Sequence, residues 1–316
     1  MRGAYSYIRK GITAGYPFIE AYTAFRGGVQ NFVILDGESD DGTWEILKQL
    51  QAIWPELTLQ RVRPIYLDQP KDRRGRLLGK MFEQARQALQ TPWQVMVQAD
   101  CVFHPQGVAA LRMATARAAS RTAAFKVVRE QFRWNWQEMY WKTRLNLCVR
   151  RDRARVWGDA LDCAIDGSVD LRLCPLFEQY PVIDSAWCFW ENLIGKVKVS
   201  GEIWPDKQED DQVQQFRWYN RVTGRDFVAD WQRYQRTGEM PDIFSNRTST
   251  YQHKFPASLK PWLGQKRYDA EKSLVLHRGS PGPDWKAIDD DLAGFPIDQE
   301  IRSYSEDIFQ WVKYRI

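Results

Sequence analysis

Two short segments place carboxylates where they could meet a phosphorylated or polyhydroxylated ligand. The first is ILDGESDDGTWEIL, residues 34–47. An apolar run delivers Asp36, a polar loop containing Gly37 and Gly42 follows, and a helical pattern starts at Thr43. Such a loop can present backbone N–H groups to a nucleotide. A carboxylate at its start can accept hydrogen bonds from a nucleobase imide N–H or from ribose hydroxyls. The plain alternative is a capped helix, with Ser39 or Asp41 as N-cap and no ligand. The second segment is MVQADCVFHP, residues 96–105, where an apolar run ends in Gln98, Ala99 and Asp100. Reactions that expel a diphosphate commonly recruit a divalent cation, and hard oxygen ligands suit Mg²⁺ or Mn²⁺. One carboxylate, diphosphate oxygens and waters can hold such an ion. A surface Asp closing a strand is the plain alternative.

Later segments add candidates. Deprotonating an acceptor hydroxyl needs a base, and VWGDALDCAID (156–166) and VIDSAWCFWENLIGK (182–196) offer Asp159, Asp184 and Glu191, with Lys196 closing the second. Arg74, Arg76 and Lys80 could supply cationic contacts or form a solvated helix face. The three histidines, His104, His253 and His277, form no pair at metal-ligand spacing. His104 is close to Asp100 in sequence and is read as either an extra ligand or a loop or cap histidine. No GxSxG, P-loop or GxGxxG element occurs, which removes support for hydrolase, kinase and dinucleotide-dehydrogenase readings.

The elements that must position these residues follow from hydrophobic periodicity. Strands are predicted over 4–8, 31–35, 57–66 and 93–97, and helices over 16–25, 43–53 and 77–89. This alternation implies a mainly parallel sheet. Both acidic loops then fall at carboxyl ends of strands, where open α/β sheets place their ligand crevices. Beyond residue 105 the pattern predicts a helix over 107–120 and a strand over 123–129. The aromatic segment RWNWQEMYWK (133–142), a basic stretch from Arg144 to Arg155 and an acidic run from Asp206 to Asp211 follow. The last stretch, from Trp285, has no assignable role.

The chain has 316 residues, a formal net charge of +5 and 44% hydrophobic residues, with a pI near 8.9 and a mean hydropathy of −0.55. That suffices for a sizeable core and permits a phosphate-bearing partner. No apolar run approaches the roughly 20 residues that span a bilayer, and residues 1–10 carry no signal-like apolar region. Five cysteines without CxxC spacing point to reduced thiols. A cytoplasmic protein is the expectation. The 15 tryptophans serve the core or provide stacking platforms for sugars or bases. The aromatic segment beside the basic stretch also suits a single-strand nucleic-acid module. Core tryptophans and a snorkelling face are the plain alternative.

DGESDDGTWEIL resembles the D-x-x-S-x-D-G-T segment of family 2 glycosyltransferases, and Gln98-Ala99-Asp100 is similar to their D-x-D. YSYIRKGITAGYPFIEAYTAF (5–25) is similar to the family's first strand and helix. The resemblance covers about residues 4–110 and continues weakly to about 200. It implies a GT-A type α/β fold with a mainly parallel central sheet flanked by helices. The implied layout is a core over 1–200, with a donor-binding half at 1–110 and an acceptor half at 111–200, plus a helical or irregular extension over 201–316. It implies that Asp36 and Ser39 contact the nucleotide of a nucleotide-sugar donor and that the chain around Tyr7 and Arg9 lines its pocket. Asp100 would bind Mn²⁺ or Mg²⁺. Gln98 departs from the pattern, since an Asp is expected there, but can still accept from a ribose. Met81-Phe82 stands where the family often has Arg-Asn, so Arg76 is the substitute cation. Asp159 resembles the position of a catalytic acidic residue. The segment from Val182 is similar to a His-Tyr-Gly-Trp segment followed by a Lys. Asp184 takes the His position, as a second metal ligand or alternative base, and Lys196 the basic one, offsetting diphosphate charge. Glu191 is a third base candidate. The implied activity is inverting transfer from a nucleotide-diphosphate sugar, a UDP-sugar first, to a hydroxyl acceptor such as a glycan, a lipid-linked sugar or a modified nucleic acid. The readings beside it are a nucleotidyltransferase, a nucleic-acid-binding protein and a non-catalytic sugar-nucleotide-binding relative.

Overall fold

The computed structural model describes residues 3–70, 73–133, 139–166, 170–204, 220, 224–237, 255–296 and 299–300. The acidic run 206–211, His253, residues 134–138 of the aromatic segment and residues 301–316 lie outside the described residues.

The N-terminal half has the expected α/β rhythm. It comprises β1 (Gly3–Ile8), α1 (Gly11–Ala14), α2 (Phe18–Thr23), β2 (Asn31–Asp36), α3 (Thr43–Ile53), β3 (Leu57–Arg61), α4 (Arg74–Gln87) and β4 (Trp93–Met96). The four strands are parallel in the order β3-β2-β1-β4. Every residue of β1 is buried, as its central place between β2 and β4 requires. In α3 the buried positions Thr43, Ile46, Leu47 and Leu50 follow helical spacing. Gly42 is the N-cap of α3 at φ 91°, a left-handed conformation that favours glycine. The capping carboxylate is Asp41, whose Oδ1 accepts from the Thr43 N–H at 3.1 Å and its hydroxyl at 2.6 Å. The helix therefore starts one residue later than an Asp41 N-cap and three later than a Ser39 N-cap would place it.

The second half extends the sheet with mixed directions. It contains β5 (Cys101–Val102), α5 (Pro105–Arg117), β6 (Thr122–Arg133), β7 (Met139–Arg150), β8 (Ala154–Val156), β9 (Cys163–Ile165), β10 (Asp170–Leu173), β11 (Val182–Trp187) and α6 (Leu193–Ile203). β7 lies antiparallel between β4 and β6. β10 and β11 both pair parallel with β6, and β5 pairs antiparallel with β11. β8 and β9 form a separate two-stranded ribbon. Helices α7 (Phe227–Thr237), α8 (Ala270–Arg278) and α9 (Trp285–Asp291) and strand β12 (Gln299–Glu300) complete the described chain.

Residues 255–296 share the core of the sheet through Leu259, Trp262, Tyr268, Ala270, Leu274 and Leu292. Their polar anchor is Glu20 on α2, fully buried. Its carboxylate accepts from Trp262 Nε1 and Tyr268 Oη, each at 2.7 Å, and from the Ser273 hydroxyl. All five cysteines are buried and unbridged. Among the described residues no helix is long and apolar enough to cross a membrane.

Candidate functional site

Asp36 ends β2 and its residue is fully buried. Its Oδ2 accepts from the Ser39 N–H at 3.0 Å and lies 3.7 Å from Arg61 Nε. Its Oδ1 is buried with no hydrogen-bond partner among the described residues. Native interiors rarely leave such an acceptor unused, and this oxygen is the one a ligand N–H or O–H would have to reach. Burial pushes the Asp36 carboxyl up, while the Ser39 hydrogen bonds and Arg61 oppose the shift.

The rest of this loop is held from outside. Ser39 Oγ accepts from the Lys10 N–H at 2.8 Å, and Arg61 donates to the Ser39 carbonyl at 2.9 Å. Arg9 donates to the Gly37 carbonyl and to the Glu38 carbonyl at 3.2 Å, and its Nε pairs with Glu202 at 2.6 Å. The Tyr7 hydroxyl is bonded to that of Tyr66 at 2.8 Å. A side chain at Gly37 would collide with the Tyr7 hydroxyl, so glycine lets the ring pack against the loop. Tyr7 and Arg9 thus shape the loop with polar groups already engaged.

The second loop meets β6, β11 and α6. β11 places Asp184 opposite Cys101. Carboxylate oxygens of Asp100 and Asp184 and the Cys101 Sγ all lie within 4.8 Å of one another. Asp184 Oδ2 accepts from Gln131 Nε2 at 2.7 Å and stands 3.6 Å from an Arg129 guanidinium nitrogen. Lys196 Nζ lies 3.3 Å from Asp100 Oδ2 and 4.7 Å from the centre of the Tyr16 ring. Burial first, then the charge of Asp100, pushes the Asp184 carboxyl up, with Arg129, Lys196 and Gln131 pulling against them. Burial, reinforced by Asp100 and Asp184, likewise pushes the Tyr16 hydroxyl up. Lys196 reaches this place because α6 packs directly on α1: a side chain at Gly195 would strike the Thr13 carbonyl.

Gln98 has a structural employment. Its Nε2 donates to the Ala160 carbonyl at 2.9 Å, and its Oε1 accepts from Arg129 at 3.2 Å and from the Cys101 thiol at 3.3 Å. An Asp here could not donate to Ala160. Ala99 beside it is buried. Asp159 lies next to that junction on an exposed turn, its Oδ1 accepting from the Leu161 N–H at 3.1 Å. Glu191 is half-buried in the turn that leads into α6, its N–H donating to the Lys266 carbonyl at 3.0 Å. Arg76 falls on α4, but its side chain lies outside the described residues. Arg74 is spent on the carbonyls of Leu67, Gln69 and Glu202.

The donor set bears on the divalent ion that the sequence resemblance implies. Asp100 and Asp184 offer hard oxygens at suitable mutual distance. Burial pushes the Cys101 thiol well up, so it stays protonated and is a poor ligand. Lys196 and Arg129 stand against the two carboxylates. The residues fit such an ion once Lys196 leaves Asp100 and further oxygens, such as those of a diphosphate, complete the shell. His104 is not in this group. It occupies the N-cap position of α5, stacks edge-on against Tyr180 with centroids 5.3 Å apart, and lines a separate cavity of about 850 Å³ with Arg26, Lys260 and His277.

Sequence reasoning missed Tyr16, Arg129 and Gln131. The last two had a signal: buried polar residues two apart on β6 share one face of the sheet. Tyr16 had none, because its partner Lys196 is 180 positions away.

An α/β protein with one carboxylate at the end of the parallel strand β2 and another just past β4, on the far side of β1, is the class that fold and site define. No family model and no curated protein matches the chain. Among solved structures, S. aureus TarS 1–349 in complex with UDP aligns with a TM-score of 0.29 and 11% identity, over 42% of this chain and 36% of that one. Mannosyltransferase PcManGT from Pyrobaculum calidifontis, in complex with GDP-Man and Mn²⁺, gives 0.31 and 14%, over 41% and 36%. The inositol-1-phosphate CTP transferase from T. maritima gives 0.27 and 11%, over 48% and 68%. The chain spans little more than a third of the length of the first two. Likeness at these scores fixes neither activity nor substrate.

Proposed function

We propose that this protein is a glycosyltransferase that moves a sugar from a nucleotide-diphosphate sugar, a UDP-sugar first, to a hydroxyl acceptor with inversion at the anomeric carbon. The observation that carries the reading is the unused, buried Oδ1 of Asp36 at the carboxyl end of β2, beside the Asp100 and Asp184 pair that gathers past the carboxyl end of β4. Asp36 accepts from the base or ribose, and Ser39 holds the loop in place. Asp100 and Asp184 hold a divalent ion, Mn²⁺ or Mg²⁺, which when bound offsets the charge of a departing diphosphate. Lys196 adds a cation to the same end of the donor.

Asp159 is the preferred base. It is exposed to an incoming acceptor, and Ala160 next to it touches Gln98. Asp184 is less suited, being buried and engaged by Gln131 and Arg129. Glu191 remains the third choice. A glycan, a lipid-linked sugar or a modified nucleic acid would each serve as acceptor. The nucleic-acid-module reading loses ground because four of the five arginines of the basic stretch have acidic partners. Arg144 pairs with Glu178, Arg150 and Arg153 with Asp152, and Arg155 with Asp166.

The test is a screen of UDP-, GDP- and TDP-sugars for donor hydrolysis and transfer, with wild type and Asp159→Asn. The expected result is turnover of one donor, with kcat lowered at least about 100-fold in the variant and donor affinity unchanged. Equal kcat in the two proteins contradicts the assignment of Asp159, and no turnover of any donor contradicts the enzyme reading.

A further inference from the structure

We propose that Lys196 is a displaceable internal counter-ion of the Asp100 and Asp184 pair: it occupies Asp100 while the site is empty, and it gives Asp100 up to a divalent cation only when a diphosphate arrives to receive its ammonium. The inference rests on the nucleotide-sugar reading above and deepens it, because it assigns the order and coupling of cation and donor binding.

The geometry has three parts. Two carboxylates within 4.8 Å of each other, one of them almost wholly buried, repel strongly in a medium of low polarisability. Two protein cations answer them, Arg129 beside Asp184 and Lys196 beside Asp100. These cations are not equivalent. Both are almost fully buried, but Arg129 is fixed between Asp184 and Gln98. Lys196 reaches Asp100 at 3.3 Å with its ammonium over the Tyr16 ring, on a flexible four-carbon stem. The Asp100 side chain keeps 23% of its surface open, so the exchangeable partner stands at the open end of the pair and the fixed one at its closed end.

A divalent ion approaching this pair without a donor meets an ammonium at Asp100 and a net charge already near balance. Binding must expel Lys196 from a carboxylate with no anion to take it. A nucleoside diphosphate removes that obstacle by bringing oxygens for both the ion and the ammonium. The two ligands therefore bind with positive coupling, and by linkage each raises the affinity of the other by the same factor. Replacing the ammonium by a neutral side chain of similar length frees Asp100 for the ion and takes from the diphosphate its protein cation.

Free Mn²⁺ is counted by electron paramagnetic resonance in titrations of wild type, Lys196→Met and Lys196→Arg, each with and without UDP. Circular dichroism and urea denaturation report whether each variant is folded. The expected result is weak Mn²⁺ binding by wild type alone, tightened at least about tenfold by UDP. Lys196→Met should bind Mn²⁺ alone at least about tenfold tighter than wild type, with the UDP effect reduced by a similar factor. Lys196→Arg, which keeps the charge, should stay near wild type and guards against a folding artefact in the Met variant. If the folded Met variant binds Mn²⁺ alone no tighter than wild type while UDP still enhances binding, the counter-ion role is overturned and the nucleotide-sugar reading stands. Failure of all three proteins to bind Mn²⁺ or UDP overturns both.

Discussion

Two single residues carry the clearest consequences. Asp36 holds one carboxylate oxygen in reserve, and its use by a ligand is a hydrogen bond to a charged group, about 1.5–3 kcal/mol. Asp36→Asn keeps the shape of the side chain and is expected to fold, while weakening nucleoside diphosphate binding at least about tenfold by calorimetry. Unchanged affinity removes Asp36 from the site. Asp162 is a test of the electrostatics beside it. Burial pushes its carboxyl up to about 6, against backbone hydrogen bonds from Asn146 and Cys163 and the charges of Lys126 and Arg129. A native value above the ordinary 3.8 means that the folded protein holds the proton more tightly. Its stabilising effect is full below about 3.8 and is lost as pH rises through about 6. Asp162→Asn should therefore gain on wild type between pH 4.5 and pH 8, by on the order of 2 kcal/mol. Urea midpoints at the two pH values decide this, and an equal difference at both would contradict the burial effect.

At the scale of elements, the packing of α6 on α1 sets the position of Lys196. Gly195 allows the approach, and a methyl group there meets the Thr13 carbonyl. Gly195→Ala should cost about 1–3 kcal/mol as overpacking and lower the UDP enhancement of Mn²⁺ binding, because Lys196 moves with its helix. Wild-type values for both would separate α6 from the site. The same scale marks how far the sequence could be read. α3 and α4 were legible because each buries one side with helical periodicity, and β1, β2 and β4 because each is a short, almost wholly buried run; Asp36 was legible because it ends β2, and Asp100 because it follows β4 closely. Asp41 was legible as a cap, but not the extra turn residue Gly42, since φ is not written in a carboxylate pattern. Lys196 was visible as a residue but not its contact with Asp100 and Tyr16, which depends on a helix packing found only in the folded chain. Gln131 was hidden because the strand was read as ending at 129, when β6 runs to Arg133, and Arg129 because its contact with Asp184 exists only in the folded chain.

For the whole molecule, the decisive feature is how residues 255–296 join the N-terminal half. We infer that this segment is integral to the core and not a detachable tail, since Glu20 gathers three donors from Trp262, Tyr268 and Ser273. Glu20→Leu leaves those donors buried and unpaired, each at a cost of about 1–3 kcal/mol. The variant should lose at least about 3 kcal/mol in urea denaturation and become susceptible to proteolysis within 255–296. A wild-type midpoint and cleavage pattern would mean that the segment folds independently.

The central claim is that Asp36, Asp100, Asp184 and Lys196 together receive a nucleoside diphosphate. Calorimetric titration of the wild-type protein with UDP, GDP, CDP and TDP, in Mn²⁺ and in EDTA, with Asp100→Ala in parallel, tests it most directly. The account predicts that one nucleotide, UDP first, binds in Mn²⁺ at least about tenfold more tightly than the others, and that EDTA or the loss of Asp100 weakens it at least about tenfold. Absence of binding by all four nucleotides in both conditions would contradict it.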